Sequence, residues 1–137
     1  MGEIKPPHPR PCKSCPYRKD APSGMWHVDE YNVLARFDKP MDEAPTSVFM
    51  CHQDDDSLCA GWVGTHDMEN LLGPRIRVLE GEMSVETLKA VFEYKTPVPL
   101  FESGAAARDH GLRDYWSPSA EARKAIRDLE RRRDDVR

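Results

Sequence analysis

Long apolar runs are missing from this sequence of 137 residues. It contains no stretch of about 18 consecutive apolar residues, which argues against a membrane-spanning helix. The first ten residues, MGEIKPPHPR, include no apolar segment of the kind that a secretory signal needs. We therefore expect a cytoplasmic protein without a membrane partner, in a compartment where disulfides are rare.

Core-forming residues are also scarce. Leu, Ile, Val and Phe together account for only 25 of the 137 residues, while the net charge of −4 is too small to complete the signature of a disordered chain. A chain of this length forms one ordinary domain that buries about two-thirds of its unfolded surface. A domain with so thin a core needs an additional cross-link.

Familiar catalytic motifs are absent as well. The sequence has no Gly-rich phosphate loop, no Gly-x-Ser-x-Gly and no His-Glu-x-x-His. An enzyme would require a metal ion with an open coordination position, held by three protein ligands and a water molecule. We favour a protein that is not an enzyme.

Helical patterns dominate what is present. Apolar residues recur at helical spacing behind residues that cap or open helices, so the sequence predicts a mainly α fold in a small single domain. Residues 47–50 form a short apolar segment that fits a brief strand or a buried extended arm. The predicted helices begin at Asp29, Ala60, Pro74, Ser84, Ser103 and Ser117, with Asp29 as a cap, Gly81 ending the third helix and Gly111 the fifth.

The first 25 residues are rich in proline, holding six of the twelve in the chain. Proline restricts its own backbone and that of the preceding residue, so this entry is expected to be irregular and to need something that holds it. We predict that residues 1–116 form a helical domain that includes this Pro-rich entry. Residues 117–137 are predicted to add a charged helix that packs on this domain or extends from it.

Four cysteines offer the missing cross-link. Cys12, Cys15, Cys51 and Cys59 are all the cysteines of the chain, spaced as C-x2-C and C-x7-C. Disulfides do not suit the cytoplasm, and a redox pair of the thioredoxin type would need a surrounding βαβ pattern. We therefore predict that the four thiolates bind a metal that staples the Pro-rich entry to the domain. The cofactor is Zn²⁺ or, as the alternative, a [4Fe-4S] cluster.

Other candidate ligands are weaker. His52 could be a fifth ligand, but neighbouring side chains usually point apart. His66 is better explained as a capping or core histidine than as a ligand. The run Asp54-Asp55-Asp56 lacks the spaced oxygens and the glycine of a calcium loop, so we expect it to face solvent.

Charge is distributed unevenly along the chain. Residues 1–19 carry five basic and one acidic side chain, residues 20–118 carry eight and eighteen, and residues 119–137 carry seven and five. The acidic body disfavours nucleic acid, although the basic ends leave that partner possible. We expect a protein partner, and the run Arg131–Arg133 suits the end of a helix.

Several longer strings carry a family resemblance. P-C-K-S-C-P-Y-R, F-M-C-H-Q, C-A-G-W-V-G and P-V-P-L-F-E-S-G-A-A-A, within residues 11–112, resemble an uncharacterised family of small four-cysteine proteins from actinobacteria and their bacteriophages. The resemblance implies that the four cysteines act as a unit and, for a phage-encoded member, a regulator directed at the host. It supplies no function of its own.

Two functions from different classes follow. The first is a small metal-binding protein with a structural four-cysteine zinc site, acting as a protein-binding or regulatory module. The alternative is a redox or iron-sensing regulator, for example of transcription, that carries an iron–sulfur cluster.

Overall fold

The structure is a computed structural model that describes residues 3–38, 48–51, 54 and 56–131. Among these residues no strand forms, so the prediction of a mainly α fold is confirmed. None of the helices in this part of the chain is both long and apolar enough to cross a membrane. The helices are α1 (Val28–Arg36), α2 (Ala60–Thr65), α3 (Gly73–Leu79), α4 (Val85–Glu93), α5 (Gly104–Arg113) and α6 (Ala120–Glu130), with a 3-10 turn at Met68–Asn70.

Serine side chains start α4 and α5 as predicted. Ser84 Oγ accepts a hydrogen bond from the backbone N–H of Thr87, and Ser103 Oγ accepts one from the N–H of Ala106, each over 3.0 Å. These bonds satisfy backbone donors that the first turn of a helix leaves unpaired. Gly81, at a φ of 77°, follows the end of α3 as predicted, because glycine tolerates the left-handed region.

Two predicted caps are wrong. Asp29 does not cap α1, because His27 precedes it in an extended conformation and its Nδ1 accepts the backbone N–H of Asp29. In the same way α6 begins after Ser119, whose Oγ accepts the N–H of Ala122, and not at Ser117. In both cases the true cap is the residue whose side chain reaches the free N–H, which sequence spacing alone resolves only to within a residue or two.

The centre of the fold is the packing of α1 against α5. Gly111 does not end α5, as the sequence suggested, since the helix continues to Arg113. Its missing side chain instead makes room for the ring of Tyr31, and a Cβ at Gly111 would overlap that ring. Gly104 lies equally close to the backbone carbonyl of Leu34. The two helices therefore approach more closely than larger residues would allow.

The Pro-rich entry is hydrogen-bonded to distant parts of the chain, and its buried residues all lie within residues 11–25. Its backbone exchanges hydrogen bonds with distant residues, among them Ile4 N–H to Glu82 O and Gly24 N–H to Gly111 O. Tyr94 Oη donates to Pro9 O at 3.0 Å. The entry, expected to be irregular, is therefore irregular in conformation but fixed by partners far along the chain.

Three isolated β-bridges join separate segments of the chain. Lys5 pairs with Ser57 in parallel, Met50 pairs with Leu58 in antiparallel, and Arg18 pairs with Leu100 in antiparallel. Residues 48–51 thus form an extended arm beside residues 57–59, which agrees with the second of the two predicted conformations. These pairings place the second pair of cysteines next to the entry.

Candidate metal centre

The first two cysteines lie at the ends of a tight turn. The backbone N–H of Cys15 donates to Cys12 O at 2.9 Å, which closes the turn. The indole N–H of Trp26 donates to Ser14 O at 2.8 Å, and Trp26 is 1% exposed. The backbone of the turn is therefore held from inside the core, which fixes where both cysteines stand before any ligand binds.

The second two cysteines lie on the neighbouring arm. Cys51 N–H donates to Ser57 O and Cys59 N–H donates to Phe49 O, both at 2.8 Å. Cys59 is also the residue that precedes α2. Because these bonds pair the two short segments, residues eight positions apart in sequence come to lie side by side.

The four thiols meet at one place in the fold. Cys15 Sγ and Cys59 Sγ are 3.9 Å apart although 44 residues separate them. Cys12 shares side-chain hydrogen bonds with both Cys15 and Cys51. All four cysteines are free thiols, so none of them forms a disulfide.

Although the four thiols are neighbours, they do not surround a single point. Within the part of the chain that the structure describes, no group of three or more His, Cys, Asp or Glu side chains has the geometry to hold a metal ion. The contacts instead run from Cys51 to Cys12, from Cys12 to Cys15 and from Cys15 to Cys59. The structure thus brings the four predicted residues together in a connected series of contacts.

Three of the thiols are buried and the fourth is half-buried. Cys15, Cys51 and Cys59 are at most 6% exposed, whereas Cys12 lies partly open to solvent. The hydrogen bond with Cys15 is the main cause that raises the pKa of Cys12 to about 11; burial adds to it, and a hydrogen bond from Cys51 opposes it. In the absence of a cation Cys12 therefore favours the protonated thiol.

Cys15 occupies the most enclosed position. Its hydrogen bond with Cys12 lowers the pKa of the Cys15 thiol, but the bond with Cys59, burial and the charge of Cys59 together raise it well above its ordinary value. The backbone N–H of Tyr17 bonds to Cys15 and favours the thiolate. On the far side, Gly61 in α2 lies so close that a Cβ there would overlap Cys15 Sγ.

Two grooves open on either side of Cys12. The α6 groove, about 650 Å³ in volume, lies between the cysteine turn and α6. The entry groove, about 870 Å³, lies between the Pro-rich entry and the arm that carries Cys51. Cys12, Lys13 and Arg18 line both grooves. Cys12 is therefore the sulfur that solvent and small solutes reach first.

The remaining candidate ligands do not join the thiols. His66 has both ring nitrogens engaged elsewhere, Nδ1 with Trp62 O at 3.0 Å and Nε2 with Asp38 Oδ1 at 2.7 Å. Asp54, expected to face solvent, is partly exposed and accepts bonds from Ser57 Oγ and from His8 Nε2. His52 and Asp55 lie outside the described residues.

Four further residues build this centre. Tyr17 and Trp26 enclose the turn, Gly61 lets α2 approach Cys15, and Arg18 lines both grooves. The sequence places Trp26 and Arg18 near the first two cysteines, as a ring that can exclude water and as a cation, whereas Tyr17 and Gly61 were missed. No sequence pattern shows that Gly61 faces a sulfur, because that closeness depends on segments that are 46 residues apart.

Comparisons with known proteins place this chain in a family. It belongs to the family of unknown function DUF6283, whose model matches residues 7–133. The match includes all four cysteines and every helix from α1 to α6. No curated protein and no solved structure matches the chain. The comparisons therefore identify an uncharacterised family and leave the function to be argued from the residues.

Proposed function

We propose that this member of the DUF6283 family is a small metal-binding protein in which Cys12, Cys15, Cys51 and Cys59 hold one structural Zn²⁺. The observation that carries the proposal is the 3.9 Å separation of Cys15 Sγ and Cys59 Sγ. Four sulfurs at about 2.3 Å from a zinc ion, placed at tetrahedral angles, are about 3.8 Å from one another. Two cysteines from distant segments are thus already spaced as two ligands of one ion.

The remaining two ligands require only local adjustment. Cys12 already interacts with Cys15 and Cys51, and its half-buried side chain borders two open grooves. Turning the side chains of Cys12 and Cys51 toward the fixed pair would complete the four ligands. Binding would also displace the thiol protons, which couples zinc affinity to pH.

The 3.9 Å separation of Cys15 Sγ and Cys59 Sγ is also the reason to prefer zinc to an iron–sulfur cluster. In a four-iron cluster each cysteine binds a different iron, so the thiolates stand farther apart than two thiolates that share one ion. The buried rings of Trp26 and Trp62 would suit either centre, since both exclude water. A redox or iron-sensing cluster therefore remains the alternative outcome of the metal analysis.

The proposed zinc ion has a clear structural purpose. It would join the turn of the Pro-rich entry to the arm at residues 48–51 and to the start of α2. Structural zinc contributes on the order of 10 kcal/mol to folding in small domains. That amount is comparable with the whole net stability of an ordinary domain, which suits a chain with few core-forming residues.

We further propose that the domain acts as a protein-binding or regulatory module. Trp116 is 90% exposed and packs edge to face on Tyr115 with ring centroids 5.0 Å apart. Tryptophan and tyrosine are enriched where proteins bind one another and often dominate the binding energy. The partner is a cytoplasmic protein and, for a phage-encoded member of an actinobacterial family, a protein of the host.

The first experiment is elemental analysis of the full chain, purified without oxygen, together with its absorption spectrum. We expect one zinc per chain and no visible colour. Iron with sulfide and a brown colour would show that the four cysteines hold an iron–sulfur cluster and not zinc. Protein that folds without any metal and whose four thiols all react with a thiol reagent would overturn the metal proposal.

The partner is tested separately by comparing proteins that co-purify with wild type and with Trp116→Ala. We expect both to contain zinc and the variant to lose one partner selectively. An unchanged set of partners would show that Trp116 does not lie at the binding surface. The matched control is Leu79→Ala, since Leu79 is 86% exposed on α3.

A further inference from the structure

Arg18 is held rigidly beside the cysteine turn. Its backbone N–H donates to Cys15 O at 3.1 Å, and its guanidinium donates to Pro11 O at 3.0 Å. Two further N–H groups of the same guanidinium bind the carboxylate of Asp20, each at 2.7 Å. The side chain is only 12% exposed. Arg18 therefore bonds to the residues on both sides of the Cys12–Cys15 turn.

The position of Arg18 also places it at the most accessible thiol. It lines the α6 groove and the entry groove, and Cys12 lines both as well. Lys13 lines the same two grooves but is exposed, so water screens its charge. Among the basic side chains that line these grooves, Arg18 is therefore the least exposed.

A four-thiolate zinc centre needs such a cation. Four thiolates around Zn²⁺ carry a net charge of about −2, and burying uncompensated charge is costly. Asp20 opposes the charge of Arg18, but the side chain of Asp20 is 61% exposed, whereas that of Arg18 is 12% exposed. The field of Arg18 therefore acts more strongly on the thiolates than the field of Asp20 does.

We propose that Arg18 is a positioning residue of the thiolate centre, which orients the Cys12–Cys15 turn through Pro11 and compensates the negative charge of the metal-bound sulfurs. This inference rests on the proposed zinc site. It gives Arg18 a role inside the protein, whereas the charge distribution of the sequence left nucleic acid as a possible partner of the basic ends.

The test measures zinc affinity of the full-length chain by competition with a chromogenic chelator at constant pH and salt. Arg18→Met should weaken zinc binding by about 10- to 100-fold, the range typical for partners of metal ligands. Arg18→Lys keeps the charge and should recover most of the affinity. Lys19→Met removes the same charge from an exposed neighbour that lines neither groove, so it should bind zinc like wild type.

A spectrum separates this role from a merely structural one. Cobalt(II) in place of zinc reports on thiolate ligands through its visible and charge-transfer bands. In Arg18→Met we expect the charge-transfer band to shift while the four-thiolate pattern of the visible bands remains. A purely structural role would lower the melting temperature and leave both the band position and the affinity of the folded protein unchanged.

The outcomes distinguish this inference from the proposal on which it rests. Wild-type protein that contains no zinc would contradict the proposed zinc site itself. Wild type with one zinc, and Arg18→Met with equal affinity and an unshifted band, would overturn the role of Arg18 alone. Should Arg18→Met not fold, Arg18→Gln keeps a donor for Pro11 without the charge and carries the same expectation.

Discussion

The Pro-rich entry and the α1–α5 pair both contribute buried residues to the core, yet they are held by different means. The helices approach through glycines, so their packing depends on shape: Gly111 lies on Tyr31 and Gly104 lies on Leu34. The entry has no regular structure, and its order depends on single hydrogen bonds to distant residues and on the thiols of Cys12 and Cys15.

This difference indicates which of the two regions the proposed metal would stabilise. A helix satisfies most of its backbone groups by itself, so side-chain packing decides its stability. An irregular segment loses conformational entropy at every residue that becomes ordered, and only contacts with specific partners offset that loss. We therefore expect changes at the thiols to release the entry, and changes at the helix contact to weaken the domain without removing zinc.

The largest effect is expected from Cys15→Ser. Serine is similar in size, so the loss would come from the missing thiolate, and zinc-linked folding free energy on the order of 10 kcal/mol would disappear. The measurements are zinc content and thermal unfolding followed by tryptophan fluorescence, since Trp26 reports on the turn. Normal folding with one zinc retained would mean that Cys15 is not a ligand.

Ser23→Ala provides the matched control for that variant. Ser23 is a buried polar residue that donates to Gly111 O at 3.1 Å and accepts from Asp114 N–H at 2.8 Å. Its loss should cost about 1–3 kcal/mol, because buried partners are left unpaired. Zinc content should stay at one per chain.

Gly111→Ala should affect the helices and not the thiols. Its methyl group would overlap the ring of Tyr31, so α1 and α5 must separate, at a cost of up to about 3 kcal/mol. Helix propensity alone predicts the opposite sign, since alanine stabilises a helix relative to glycine. Urea unfolding measures the difference. An increase in stability, or loss of zinc in the folded variant, would contradict the separation of the two regions.

Tyr31→Phe tests the link between the two regions. Tyr31 Oη accepts the backbone N–H groups of Met25 and Trp26, at 2.9 and 3.1 Å. Phenylalanine would leave two buried donors without this acceptor, at a cost of about 2 kcal/mol. Tyr94→Phe is the control, because its bond to Pro9 O is exposed and water can replace it. Equal losses of unfolding free energy in the two variants, measured in urea, would show that burial of the Tyr31 hydrogen bonds does not increase their contribution to stability.

The smallest effect is expected from Asp54→Asn. The Ser57 hydroxyl first, and then His8, lower the pKa of Asp54 below its usual value. A carboxyl whose pKa is lowered by folding contributes stability above its unfolded pKa of about 3.9 and loses it as the pH falls through the folded pKa. The difference in melting temperature between wild type and variant should therefore be small at pH 7 and disappear as the pH falls through the folded pKa of Asp54. A difference that grows on acidification would refute this assignment.

Much of the local structure could be predicted from the sequence. Ser84, Ser103 and Gly81 mark helix ends correctly, because a cap depends on residues only three or four positions away. Gly111 misled the same reasoning. A glycine at the end of an alanine-rich stretch is typical of a helix stop, but here it is required by the ring of Tyr31, 80 residues earlier.

The candidate site could likewise be predicted only in part from the sequence. Composition and spacing singled out Cys12, Cys15, Cys51 and Cys59, since a thin core with four cysteines in two pairs leaves few other chemical roles. That the pairs meet, that Cys12 alone stays half-open and that Arg18 stands beside it depend on bonds between distant segments. Helix caps and cysteine spacing are local properties, which the sequence by itself determines. The meeting of the thiols was decided only by tertiary structure, because a hydrogen bond across 44 residues leaves no periodic trace in the chain.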